Sequence, residues 1–202
     1  MKLLGKVQKA EYVEDTYNNE YLYFTSLKEF RISNDALGRY DPRELNLKND
    51  QINWLSIKVD DKIILSSSTS SSFSGQFMEF YSDPNINCCS LYSLEFENQK
   101  LSIIDDRMLH IGNKILIIYD LESFFNLLDK SIEIQNYHYS RKYVTYYDPS
   151  KYNGKLTLHH KDVEFEYQKE YRILIKPVFT KAIRISIPGL KKVSFIDEII
   201  EN

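Results

Sequence analysis

Gln168-Lys169-Glu170 stands directly before an apolar, strand-like run, Tyr171-Arg172-Ile173-Leu174-Ile175. A carboxylate fixed at the threshold of a strand can stabilise positive charge that develops on a substrate, provided it is a preorganised anion in a water-poor cleft. Glu170, with Gln168 two residues earlier, is therefore a candidate site residue. Upstream, Arg31, Arg39 and Arg43 are candidate phosphate grips, because a guanidinium matches phosphate oxygens bidentately. Tyr21 or Tyr23 offers a ring for stacking, and Ser68-Thr69-Ser70 offers hydroxyls. The same residues have a plainer reading. Glu170 and Arg172 are two apart on a strand and share a face, so they can form an ion pair that closes a structural network or anchors a substrate.

Other chemistries find less support. His159-His160 and Cys88-Cys89 are adjacent pairs that point to opposite sides of an extended chain, and no Cys-x-x-Cys spacing occurs, so no metal site is expected. There is no Gly-x-Ser-x-Gly elbow and no Gly-rich phosphate loop. Tyr137 to Tyr147 interleaves tyrosines with His138, Arg141 and Lys142, a pattern that could stack on bases. The acidic pI of about 5.9 argues against nucleic acid and favours a half-buried tyrosine face. Asp35, Asp41 and Glu44 flank Arg39 and Arg43, which reads either as a lid over a ligand or as a solvated loop held by its own ion pairs.

The elements that must position these groups follow from periodicity. Residues 9–20 space Ala10, Val13 and Tyr17 on one helical face, and Tyr21-Leu22-Tyr23-Phe24 reads as a buried strand. Ser26-Leu27-Lys28-Glu29 is a capping box before a short helix. Asn34 to Asn53 is polar and turn-rich and reads as a long loop. Leu55 to Val59 and Lys62 to Leu65 flank Asp60-Asp61 as a hairpin. Phe77 to Tyr81, Cys88 to Phe96 and the apolar run Lys114 to Tyr119 are strands, the last expected at the centre of a sheet. Asp120 caps a helix whose stripe is Leu121, Phe124, Phe125, Leu128 and Ile132. Strands follow at 139–147, 171–176, 182–187 and 193–196, with a polar loop at 148–162. The sum is α+β: one domain over residues 1–202, a mostly antiparallel mixed sheet and two or three helices.

Composition sets the outer bounds. The chain has 202 residues, 43% hydrophobic and 27% charged, with 16 Tyr and 11 Phe, enough apolar surface for a packed core. No apolar run approaches a membrane span, no leader is evident, and two adjacent cysteines suit a reducing compartment. A cytoplasmic protein without membrane contact is expected.

Several segments together resemble a family of small uncharacterised proteins of bacteria and their phages. Leu22 to Arg31 is similar to its strand and Ser-Leu-x-x-Phe-Arg opening. Arg39-Tyr40-Asp41-Pro42-Arg43-Glu44-Leu45 is similar to its Arg-Gly-Asp-x-x-Glu-Gly segment, with Tyr40 and Leu45 in place of both glycines. Cys89 to Leu94, Gly112 to Leu128 and Val144 to Asp148 match its Cys-x-x-Tyr, strand-Asp-helix and Val-x-Tyr-x-Asp units. Glu166 to Ile173 matches the signature Tyr-x-x-Glu-Tyr-Arg-Ile, shared with larger proteins that carry a domain of unknown function. The order Arg, Ser-Thr-Ser, Gln-x-Glu also resembles one class of ADP-ribosyltransferases, a resemblance that makes Glu170 the expected electrostatic catalyst beside a sugar ring losing its leaving group and Gln168 the acceptor-positioning residue. These resemblances imply a nucleotide-binding protein of bacterial–phage conflict that takes NAD as cofactor and transfers ADP-ribose. The alternative they leave is a non-catalytic module that binds a nucleotide signal or a protein partner.

Overall fold

In the computed structural model the described residues are 1–32, 40–54, 56–66, 74–82, 85–98, 100–176 and 181–199. In chain order the elements are β1 (Lys2–Gln8), α1 (Ala10–Asn18), β2 (Tyr21–Ser26), α2 (Leu27–Ile32), β3 (Asn46–Ile52), β4 (Ser56–Val59), β5 (Lys62–Ser66), β6 (Gly75–Phe80) and β7 (Asn87–Glu97). Then come β8 (Lys100–Leu101), β9 (Lys114–Ile118), α3 (Leu121–Ile134), β10 (His138–Tyr143), β11 (Thr145–Tyr147), β12 (Gly154–Lys155), β13 (His160–Asp162), β14 (Glu170–Lys176), β15 (Ile183–Ser186) and β16 (Ser194–Glu198). Short 3₁₀ turns at Asp106–His110, Val163–Gln168 and Leu190–Lys192 join them. The architecture is α+β and overwhelmingly antiparallel, as expected; β11 and β13 form a parallel pair.

The local signals act as their chemistry predicts. The Asp120 carboxylate accepts from the Ser123 amide and starts α3, whose Phe124, Leu128 and Ile132 are buried. The Ser26 hydroxyl accepts from the Lys28 amide at the start of α2, but among the described residues no bond returns from the Glu29 side chain to the Ser26 amide, so the expected capping box is only half formed. Asp60 and Asp61 both adopt positive φ between β4 and β5, the geometry of a two-residue hairpin turn.

Two expectations need correction. The segment Asn34 to Asn53 is not a continuous loop: Asn46–Ile52 is β3, which pairs with β6 and β12. Its burial is carried by Asn46 and Asn49, polar residues that bond through one side-chain atom each, so hydrophobic patterning could not reveal it. The apolar run β9 is buried but lies next to the edge, between β1 and β16. The central position belongs to β1, whose Leu3, Leu4 and Val7 are buried on both faces.

The main sheet runs β10-β14-β7-β1-β9-β16, and its layout has one interruption. On one side β7 pairs with β14 from Asn87 through Tyr92. On the other side Tyr92 to Glu95 pair with Gly5 to Lys2 of β1, whereas Asn87 and Cys88 pair with Ser26 and Thr25 of β2. Cys89 to Leu91 face no strand there. β1 and β2 therefore leave β7 as two arms of a fork. β1 carries β9 and β16 with it, β2 carries β15, and α1 bridges the two arms.

The arms hold their positions by packing. The largest core cluster gathers Leu4, Leu22, Phe24, Leu91, Leu116, Phe124, Leu128 and Ile173 beneath α1 and α3. On the other face Leu3, Val7, Tyr92, Met108 and Ile117 pack against the 3₁₀ turn at Asp106–His110. At the end of that turn Gly112 lies so close to the end of β1 that a Cβ would sit 1.9 Å from the Gln8 carbonyl carbon. Only glycine permits that approach.

Candidate functional site

A cavity of about 490 Å³ opens where the sheet forks. Its first wall is the free end of β1 with α1, through Lys6, Val7, Gln8, Lys9, Tyr12 and Thr16. Its second wall is β2 and β15, through Tyr21, Tyr23, Thr25 and Arg184. Its floor is β7 and β14, through Cys88, Ser90, Tyr92, Glu170 and Arg172, with Glu44, Lys161 and Gln168 beside them. Five basic side chains line it against two carboxylates. The volume is in the range of small-molecule sites.

The floor rests on a buried charge network. Alternation along β14 sends Tyr171, Ile173 and Ile175 into the core and Glu170, Arg172 and Leu174 to the opposite face. There Arg172 is bidentate to Glu44, with both bonds at 2.8 Å. Its Nε donates to Glu170 Oε1 at 3.0 Å, and one terminal nitrogen donates to the Leu158 carbonyl at 2.7 Å. Lys161 Nζ bridges Glu170 Oε2 at 3.1 Å and Gln168 Oε1 at 2.7 Å. The Ser90 hydroxyl donates to Glu170 Oε1, and the Tyr146 hydroxyl accepts from the Glu170 amide at 2.8 Å. Arg172 is 1% exposed and Glu170 4%, and such charges are tolerated in an interior only when paired as these are.

The electrostatics follow from these contacts. Burial alone would raise Glu170, but Arg172 and Lys161 reverse this and hold its carboxyl well below the usual range. It is thus a poor proton acceptor at neutral pH. Burial pushes the Cys88 thiol up to about 12, which leaves it un-ionised and unreactive. Burial, followed by the Glu44 charge, pushes Asp41 up to about 6. Burial and the nearby Arg172 bring His159 down to about 4, so its ring is neutral.

The expected site residues are only partly brought together. Gln168, Glu170, Arg172, Tyr21 and Tyr23 all line the cavity. Glu170, however, is engaged at both oxygens by Ser90, Arg172 and Lys161, so the plainer ion-pair reading describes its geometry. Tyr21 is 7% exposed, its hydroxyl donates to Asp15 at 2.6 Å, and the Arg184 guanidinium lies 4.7 Å from its ring centre. Tyr23, 39% exposed, is the β2 ring open to a ligand. Arg31 does not reach the cavity: its guanidinium lies 3.8 Å from the Phe80 ring centre. Nor does Arg43, which pairs with Asp162 at 2.7 Å. Among the described residues of the loop, Glu44 and Arg43 both bind residues more than a hundred positions away, and Asp41 and Glu44 are buried rather than solvated; Asp35 lies outside the described residues. Arg39 and Ser68-Thr69-Ser70 lie outside the described residues.

Residues that the sequence reading passed over complete the site. Lys6 and Lys9 belong to a strand end that carried no motif, although Leu3-Leu4-Gly5-Lys6-Val7 has the apolar character of a strand. Arg184, Ser90 and Lys161 had no signal beyond residue type. In the aromatic-basic segment 137–147 Arg141 pairs with Asp129 over the Phe125 ring and Tyr143 packs edge-on against Tyr171, while Tyr139 and Tyr143 stay exposed. His159 and His160 bond Ser140 and Thr157, and among the described residues no three His, Cys, Asp or Glu side chains converge as metal ligands would. No helix among the described residues is long and apolar enough to cross a membrane. No protein-family model, curated protein or solved structure matches the chain.

Proposed function

We propose that the protein is a nucleotide-binding module whose site is the cavity in the forked sheet, and that Glu170 organises this site rather than performing chemistry in it. One observation carries the reading: the fork sets exposed aromatic rings beside cationic side chains. Tyr12 on α1 and Tyr23 on β2 come from opposite arms, with Lys6 and Lys9 on one arm and Arg184 on the other. Aromatic faces favour planar bases and ammonium or guanidinium groups favour phosphates. The position of Glu170 supports the non-catalytic form. A carboxylate bonded by Arg172, Lys161 and Ser90 would have to give up those bonds before it could stabilise charge on a substrate. The link to bacterial–phage conflict rests on the family resemblance alone.

The ADP-ribosyl-transfer reading retains one favourable feature, the presence of Gln168 and Glu170 on the same cavity floor. A single experiment separates the two. The full chain is melted with AMP, ADP, GMP and NAD, and free nicotinamide is measured in parallel for wild type and Glu170→Gln. A binding module shows stabilisation of ~2.7 kcal/mol at a hundredfold excess over Kd, a Tm rise of roughly 5–10 °C, and no nicotinamide release. Nicotinamide release that disappears in a folded Glu170→Gln protein would replace this reading with the transferase.

A further inference from the structure

The five cations of the cavity are not equivalent. Arg172 and Lys161 are matched by Glu44 and Glu170, and Arg184 lies 3.6 Å from Asp15. Among the described residues Lys6 and Lys9 have no carboxylate within ion-pair distance. Lys6 is also unusually placed. Its Nζ donates to the Ser90 carbonyl at 2.9 Å, at the point where β7 faces neither arm: pairing with β1 ends at Tyr92 and pairing with β2 ends at Cys88. A lysine ammonium thus substitutes for a missing strand at the apex of the fork. The cavity has two walls with one open ring each, Tyr12 and Tyr23, and the third tyrosine of these walls, Tyr21, is covered by Arg184.

We infer that the fork takes a nucleoside monophosphate, whose phosphate is gripped by Lys6 with Lys9 and whose single base lies between Tyr12 and Tyr23. This rests on the nucleotide-binding reading above. One open ring on each wall suits one base, and two unmatched cations suit one phosphate, which carries close to two negative charges at neutral pH. A dinucleotide needs a second stacking slot, and a nucleoside diphosphate or triphosphate brings more charge than the walls match. The Lys6–Ser90 bond is an ammonium donating to a neutral carbonyl, and a bond to phosphate is the stronger, doubly charge-assisted one. When Lys6 turns to the phosphate, the Ser90 carbonyl needs a new donor, and a ribose hydroxyl supplies it. A nucleoside monophosphate carries both groups; inorganic phosphate lacks the ribose hydroxyl and a nucleoside lacks the phosphate.

Calorimetric titration of the full chain tests this, with AMP, GMP, CMP and UMP, the matching nucleosides, ADP, NAD and ribose 5-phosphate as probes. The expected result is that a monophosphate binds more tightly than its nucleoside, than ADP and than NAD. Lys6→Met should weaken that monophosphate by roughly 10–100-fold, the worth of a hydrogen bond to a charged group, and should not weaken the nucleoside, whose ribose hydroxyl then meets a Ser90 carbonyl without a competing donor. Lys6→Arg, which keeps the charge, should recover most of the loss, and the nucleoside separates the two roles, because loss of a purely structural Ser90 bond would weaken nucleoside and monophosphate alike. If NAD or ADP binds more tightly than every monophosphate, or if Lys6→Met leaves the monophosphate affinity unchanged, the inference is overturned while nucleotide binding stands. If no nucleotide of any size binds, the nucleotide-binding reading falls and this inference with it.

Discussion

Asp41→Asn should stabilise the protein at neutral pH. The network under the cavity holds four carboxylates, from Asp41, Glu44, Asp162 and Glu170, against three cations, from Arg43, Lys161 and Arg172. The surplus negative charge falls on Asp41, which is 2% exposed. Burial and the Glu44 charge raise it from 3.8 to about 6. The folded protein therefore holds a proton there that the unfolded chain has released between about pH 4 and pH 6, and stability falls with rising pH across that window. The rise corresponds to ~3 kcal/mol, lost in full above pH 6. An Asn carries no charge to bury, and its side-chain oxygen can still accept the 2.8 Å bond from the Arg43 amide. Urea denaturation at pH 4 and at pH 7.5 measures the effect. Wild type and variant should be close at pH 4, and the variant should be more stable by up to ~3 kcal/mol at pH 7.5, or ~6–12 °C in Tm. Glu170 is held low by Arg172 and Lys161, and its contribution, present above 4.5, is lost as pH falls in both proteins, so it cancels in the difference. A variant that is less stable at pH 7.5, or a gap that does not change with pH, would refute the surplus-charge argument.

Other tests address the frame around the site. Arg172→Met strands two buried carboxylates, Glu44 and Glu170, and should cost ~3–5 kcal/mol in urea denaturation; a loss under ~1 kcal/mol would mean that water reaches them. Gly112→Ala places a methyl against the Gln8 backbone and should unfold the protein or lower its Tm by more than 5 °C, roughly the effect of ~2 kcal/mol. Cys88 and Cys89 are buried and un-ionised, so a thiol reagent at pH 8 should label neither until denaturant is added; rapid labelling of native protein would show that the cavity floor opens. Tyr23→Ala should lower nucleotide affinity by ~1–3 kcal/mol without moving the unliganded Tm, because the ring is 39% exposed.

How much of this was legible in the residues divides along a physical line. Local features were readable because they depend on neighbours in the chain: the Asp120 cap, the Ser26 turn, the Asp60-Asp61 hairpin and the stripe of α3 each satisfy backbone donors or one apolar face within a few positions. The Glu170–Arg172 pair was readable for the same reason, since two positions along a strand share a face. Strand β3 was not, because its buried positions are asparagines that bond to the Pro149 and Tyr152 carbonyls and to the Lys48 amide. Its place in the fold depends on partners about a hundred residues away.

By itself the sequence determined the α+β class, most strands, two capped helices and the ion pair at the head of β14. Periodicity and capping act over one or two turns of chain, and those forces are written in adjacent letters. Tertiary structure alone decided that β1 and β2 diverge from β7, that Lys6 reaches the apex of that fork, and that Glu44, Lys161 and Ser90 enclose Glu170. Strand pairing and charge pairing across 80 to 128 positions depend on register, and register is set by the packing of whole faces rather than by any short motif.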